Sequence, residues 1–258
     1  KAMNILLVND DGIACEGILS LVRALSPQHK LTVVSPESER SGFSHSLTIH
    51  TPVTVEKRRL AEFPQVAAYA VSGTPADCVK LGVRALCGQK PDLLISGINN
   101  GENIGTDIAY SGTCNAALEG AMLGVRSIAI SLEYAGHAMH YAPCAEFMAG
   151  FLEGIGDAAW PVRGILNINY PDADTKKVRG VRLATISDLD YDEGYTLQSE
   201  ADGKAVYQLY GRLRATQDAG SDEYLLREGY ITITPIGYDC LLAGHMNRLR
   251  EMFQADFA

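Results

Sequence analysis

The chain of 258 residues carries 31 Asp and Glu against 22 Lys and Arg, a formal net charge of −9 at pH 7, with 47% hydrophobic and 21% charged residues. That balance excludes a disordered chain and a general affinity for polymeric nucleic acid, which needs a basic face to displace counterions. The acid excess sits in one half: residues 1–130 hold 11 basic and 12 acidic residues, and residues 131–258 hold 11 and 19. In chain order, the continuous apolar run at 3–8 predicts a strand buried on both faces. Ile18, Leu21, Val22 and Leu25 recur at helical spacing over 16–25, and 31–34 is a second buried strand, so the chain opens as a βαβ unit. A polar loop follows at 35–46. Residues 47–49 and 53–56 resemble a hairpin around Pro52, and 69–71 a further strand. Pro75 in a first turn, with Thr74 as cap, predicts a helix over 75–86. Strands are expected at 92–96, 127–132 and 164–169, with helices at 112–124 and 142–154.

After residue 170 the pattern changes. Residues 178–185, 205–209 and 230–234 are strand-like without regular helices between them, and 241–253 reads as a last helix. The expected fold is an α/β, doubly wound (Rossmann-like), mostly parallel sheet over residues 1–175. A β-rich extension with a C-terminal helix, used in oligomerisation, is expected over 176–258. No run of about 18 uncharged apolar residues exists, so no membrane partner is expected. The six cysteines contain no C-x-x-C pair and read as reduced thiols, and no secretory leader is seen at the start; both point to the cytoplasm.

In open α/β sheets ligands bind beyond the carboxyl ends of the strands, which selects the loops at 9–12, 35–46 and 96–105. The first reads Asn9-Asp10-Asp11-Gly12. Two adjacent carboxylates repel and call for a cation or strong donors, although Asp-Gly is also a common turn and cap. The third repeats glycine every four residues with Asn99, Asn100 and Asn103 among them. Such asparagines suit a hard cation or a phosphate, or left-handed turn positions. Ser111-Gly112-Thr113 precedes a small-residue helix and can form an anion site or a simple cap. Ser41, beside Gly42, offers one more hydroxyl. An acidic metal site beside an anion site fits metal-assisted phosphoryl chemistry. Neither G-x-x-x-x-G-K-[ST] nor G-x-G-x-x-G after the first strand is present. The D-x-D of aspartyl-phosphate phosphatases is likewise replaced by adjacent Asp10-Asp11. A non-catalytic nucleotide-binding regulator is the alternative of another class.

These segments together resemble the SurE family of metal-dependent 5′-nucleotidases. They are ILLVNDDGI (5–13), SPESERSG (35–42), SGTPADCV (72–79), SGINNGENIG (96–105), YSGTCNAALEG (110–120) and GYITITPI (229–236). The resemblance implies one divalent cation per subunit, Mg2+ or Mn2+, held by Asp10, Asp11, Ser41 and Asn99. It also implies a phosphate cradle from Asn103, Ser111, Gly112 and Thr113, and subunits joined as a homodimer or homotetramer. Cys114 and Ser221 are small departures from the family pattern. The implied reaction is hydrolysis of nucleoside 5′-monophosphates, with 3′-monophosphates and short polyphosphate as further substrates. Asp10, Asp11 and Asn103 would be its catalytic residues.

Other features have plainer readings. His137 and His140 form an H-x-x-H read as surface packing, and 188–194 is an acidic stretch read as a solvated loop. His45 is read as a structural hydrogen bonder, Trp160 as core, and Tyr191 and Tyr195 as lining the substrate mouth.

Overall fold

The computed structural model describes residues 2–157 and 160–239. The elements, in order, are β1 (Asn4–Val8), α1 (Glu16–Leu25), β2 (Lys30–Pro36), β3 (Val55–Arg58), β4 (Ala67–Val71) and α2 (Pro75–Leu81). Then come β5 (Leu93–Asn100), a 3-10 turn (Gly105–Ala109), α3 (Gly112–Met122), β6 (Arg126–Leu132), α4 (Ala142–Gly154) and β7 (Gly164–Tyr170). The last are β8 (Val181–Leu183), β9 (Asp190–Ala201), β10 (Lys204–Arg214), α5 (Asp222–Arg227) and β11 (Ile231–Gly237).

Nine strands form one sheet in the order β3-β4-β2-β1-β5-β6-β7-β11-β8. The six from β4 to β7 are parallel. β3 is antiparallel to β4, and β11 antiparallel to β7. The parallel strands are buried on both faces, and alternation along β1 shows why the fold is doubly wound. Ile5 and Leu7 join a core with Ile18, Leu21 and Met148, under α1 and α4. Leu6 and Val8 join a second core with Val79, Ala116 and Ala117, under α2 and α3. Helix α3 is buried nearly all round, and its small residues let it lie close to the sheet: a Cβ on Gly120 would stand 2.6 Å from Ser127 Oγ.

The structure corrects several expectations. No hairpin joins 47–49 to 53–56. Thr74 and Asp77 form a capping box on α2. The Asp77 carboxylate also accepts the Thr48 N–H at 3.1 Å and the Thr48 hydroxyl at 2.6 Å. The backbone of that strap is therefore spent on a helix cap, and β3 pairs with β4 instead. The helix expected over 75–86 ends at Leu81 and continues as a π turn over Gly82–Leu86, where Gly82 abuts Leu6.

The acidic stretch at 188–194 is not a loop: from Asp190 it is the start of β9, paired antiparallel to β10. Arg214 meets Asp190 at 2.9 Å across that ribbon. Both strands of the ribbon are largely exposed, so no buried face imposed the two-residue alternation that marks a strand. Residues past 170 also contain a helix, α5, capped by Ser221. The nine-stranded sheet does not stop at residue 175, because β8 and β11 complete its far edge and only β9–β10 stands apart. The helix expected over 241–253 lies outside the described residues. Among the described residues, no helix is long and apolar enough to cross a membrane.

Candidate active site

The strand order reverses beside β1: the chain runs outward through β2 to the edge strand β3, fills the gap between them with β4, then returns to place β5 on the other side of β1. The crevice beyond this switch point is bordered by the residues after β1 and the end of β5. Asp10, Asp11 and Asn99 therefore come together there.

The turn after β1 is shaped by its flanking residues. Asn9, fully buried, accepts from Gly12 N at 3.2 Å and donates to Gly12 O at 2.9 Å. The Ser35 hydroxyl donates to the same Asn9 oxygen. Gly12 has φ of +102°, which a side chain would strain. Asn9 and Gly12 make the turn, so the two aspartates between them are not needed for it.

The turn sends the aspartates to different partners, Asp10 to α3 and Asp11 to the end of β5. Asp10, 3% exposed, accepts from Thr113 Oγ1 at 2.6 Å and Thr113 N at 3.2 Å, so it sits on the positive end of α3. Gly112 is required for this approach, because a Cβ there would stand 2.7 Å from Asp10 Oδ2. Thr113 Oγ1 also lies 3.3 Å from Asn99 Oδ1, so the Asp10 and Asn99 oxygens converge on one hydroxyl. Asp11 accepts from Asn100 N at 3.2 Å. Ser41 is exposed, and its hydroxyl donates to Glu39 at 2.8 Å. The Ser41 loop is tied to the pair by Arg40 N, which donates to Asp10 O at 2.7 Å.

The electrostatics of the pair are unfavourable without a cation. Burial raises the Asp10 pKa, with Glu39 adding to it and the Thr113 bonds opposing it. Burial, then Asp10, then Glu39 raise Asp11 to about 6. The charges felt by both groups are carboxylates, not lysine or arginine. Three acids, an amide oxygen and a hydroxyl around one crevice are an all-oxygen donor set, which suits a hard divalent cation. The residues present thus fit such an ion.

Asn103 is 6% exposed and firmly held. It donates to Ser131 Oγ at 2.8 Å, and its carbonyl accepts from Asn167 at 2.8 Å and Asn169 at 3.0 Å. Its amide has one further N–H to offer. Ser111 caps α3 by accepting from Cys114 N at 3.0 Å. Cys114 is fully buried and its thiol is pushed up to about 12, so it is no nucleophile.

Some residues with a place in the site had no role assigned from the sequence. Glu39 is the third acid, and its only signal was its position in the 35–42 segment. Tyr141, at the start of α4, has its hydroxyl pKa raised by burial and by Asp11, which puts it on the Asp11 side. Asp222, at the start of α5 and fully buried, accepts from Gly105 N, Ser187 N and Ser187 Oγ at 2.9, 2.9 and 2.6 Å. It ties the far end of the chain to the loop that carries Asn103. Tyr191 donates to Asp107 at 2.5 Å and Tyr195 is exposed. With Tyr110 they border a groove of about 940 Å3, reached from Ser111 through the 3-10 turn. His45 bonds Glu119 at 2.9 Å, and Trp160 packs against the first core.

Residues 5–193 match the family model described as survival protein SurE. The chain is 40% identical over 253 residues to the 5′-nucleotidase SurE of Thermosipho africanus, covering 98% of each chain. It is 36% identical over 252 residues to the 5′-nucleotidase SurE of Clostridium botulinum (strain Langeland), covering 97% of this chain and 99% of that one. The crystal structure of the SurE protein from Aquifex aeolicus superposes with a TM-score of 0.83 at 32% identity, over 97% of this chain and 99% of that one.

Proposed function

The chain belongs to the SurE family, and on that footing we propose that it is a 5′-nucleotidase that hydrolyses nucleoside 5′-monophosphates to nucleoside and phosphate with one divalent cation per subunit. The observation that carries this is a pair of adjacent desolvated carboxylates at the switch point of the sheet, one of which, Asp10, abuts the N-terminus of α3. Asp10, Asp11, Asn99 and Ser41 would hold the cation, with Ser41 turning from Glu39 toward it. When bound, a cation such as Mg2+ or Mn2+ supplies Lewis-acid charge at the phosphoryl group. Asp11, which accepts from Asn100 N at 3.2 Å, is placed to orient or deprotonate the attacking water. Ser111, Gly112 and Thr113 would cradle the phosphoryl oxygens through the Ser111 hydroxyl, the Gly112 N–H and, once turned from Asp10, the Thr113 N–H, and the spare amide N–H of Asn103 adds a donor. The groove beside Tyr110, Tyr191 and Tyr195 is wide enough for a nucleoside and offers rings for a base to stack on.

The same reading extends to 3′-monophosphates and short polyphosphate, which present the same terminal phosphoryl group. Exposed Leu197, Val206, Tyr207, Leu209 and Tyr210 on the β9–β10 ribbon support assembly as a homodimer or homotetramer. The acidic balance favours a mononucleotide over polymeric nucleic acid, and the protein is proposed to act in the cytoplasm without a membrane partner.

The test is phosphate release from a panel of 5′- and 3′-monophosphates with Mg2+ or Mn2+, with and without chelator. Release is expected to stop in chelator, to return with either ion, and to be abolished in Asp10→Asn. Full turnover in chelator, or a fully active Asp10→Asn variant, would sink the assignment. A covalent aspartyl adduct with a phosphate mimic would instead establish the aspartyl-phosphate route.

A further inference from the structure

The H-x-x-H of the sequence meets two acids that no local pattern announced. His137 and His140 lie between β6 and α4, and Asp172 and Asp174 lie just past β7. His137 Nε2 stands 2.9 Å from Asp172 Oδ2, and His140 Nδ1 stands 3.3 Å from Asp174 Oδ1. The ligand atoms of His137, Asp172 and Asp174 all lie within 4.8 Å of one another. We infer that His137, Asp172 and Asp174 form a second cation site, which His140 completes by turning in from its contact with Asp174, and which binds a borderline transition-metal ion such as Zn2+.

Three observations carry this. The first is spacing. Four ligands tetrahedrally placed about an ion at about 2.0–2.1 Å stand about 3.3 Å from one another. The two His–Asp separations of 2.9 and 3.3 Å lie at or just under that value, and the atoms of His137, Asp172 and Asp174, within 4.8 Å of one another, close on an ion by side-chain rotation. The second is rigidity at the roots. Glu133 N donates to Tyr170 O at 2.9 Å, its carboxylate accepts from Asp172 N at 3.0 Å, and Lys176 Nζ meets it at 2.7 Å. Asp172 itself is 3% exposed, so one ligand is held while the histidines, on the solvent side, adjust. Ligands fixed by such supporting bonds lose little order on binding. The third is donor type. A single His–Asp ion pair accounts for two of these groups but not for a second histidine against a second acid on the same two segments. Imidazole with carboxylate suits Zn2+, Cu2+ or Ni2+, whereas the all-oxygen set at β1 and β5 suits Mg2+ or Mn2+. The two sites therefore sort different ions. An ion here clasps the loop after β6 to the segment after β7.

The test uses full-length protein without a histidine tag, in excess Mg2+ so that the oxygen site is satisfied. Zn2+ is titrated by calorimetry, and Co2+ is followed by its visible absorption. One Zn2+ per chain is expected to bind despite the Mg2+, with Co2+ giving the intense bands of a tetrahedral, nitrogen-containing site. His137→Ala and His140→Ala are expected to weaken Zn2+ on the order of tenfold or more, whereas Asp10→Asn leaves it unchanged. His140 is 57% exposed, so its replacement leaves the packing intact and keeps the test independent of folding. Failure of Zn2+ to bind in Mg2+ excess, or equal affinity in both histidine variants and the parent, would overturn the inference.

Discussion

Asp11→Asn separates what this carboxylate costs the fold from what it contributes to the site. Burial, together with Asp10 and Glu39, lifts its pKa in the folded chain from 3.8 to about 6. The folded state thus holds the Asp11 proton more tightly than the unfolded chain does. The stability tied to that proton is complete below pH 3.8 and is lost as pH rises through about 6. At 1.36 kcal/mol per pH unit, the rise from 3.8 to about 6 corresponds to about 3 kcal/mol lost by pH 8. Asparagine removes the charge and keeps an oxygen for Asn100 N, now accepted at 3.2 Å. In chelator at pH 8 the variant is therefore expected to be more stable than the parent by about 2–3 kcal/mol, or roughly 4–12 °C in melting temperature. The gain shrinks toward zero at pH 4. Added Mg2+ or Mn2+ stabilises the parent by mass action and the variant much less. Melting followed by circular dichroism at pH 4, 6 and 8, with chelator or with metal, measures all of this. A variant no more stable than the parent at pH 8 in chelator, or an advantage that grows toward pH 4, refutes the reasoning.

Three further substitutions probe the supports. In Gly112→Ala the new Cβ would stand 2.7 Å from Asp10 Oδ2, so the carboxylate must move. Phosphate release is expected to fall about 100-fold with the fold retained, and activity within twofold of the parent would exclude this abutment as the determinant. Asp222→Ala strands Gly105 N and the Ser187 donors in a buried place. It is expected to cost about 3 kcal/mol and to speed amide exchange over residues 103–107; unchanged protection there would count against the tie. Gly17→Ala places a Cβ 2.1 Å from Ile98 O, where α1 crosses β5. Urea denaturation is expected to show a loss of about 1–3 kcal/mol, and no loss would mean that α1 shifts freely.

The sequence by itself determined the repeating strands and helices of the first 170 residues, because a strand buried on both faces is a continuous apolar run and an amphipathic helix keeps its period. It also marked three candidate ligand loops, since Gly, Asn and paired Asp after buried strands are chemically distinctive. Periodicity had less to say where burial does not set the pattern. The exposed start of β9, acidic and ending in Gly194, reads as a loop although 205–209 within β10 reads as a strand, and Thr48 and Asp77 meet across 29 residues to turn a strand-like strap into a helix cap. The roles within the site were likewise decided in three dimensions. Adjacent Asp10 and Asp11 look alike in the chain, but the turn after β1 sends one to the N-terminus of α3 and the other to Asn100. Asp222 reaches the Asn103 loop from more than 100 residues away, and His137 and His140 meet Asp172 and Asp174 only because β6 and β7 are neighbours in the sheet. Local sequence carries period and turn chemistry, whereas which distant side chains share a charge or a proton depends on strand order, and strand order is a property of the whole fold.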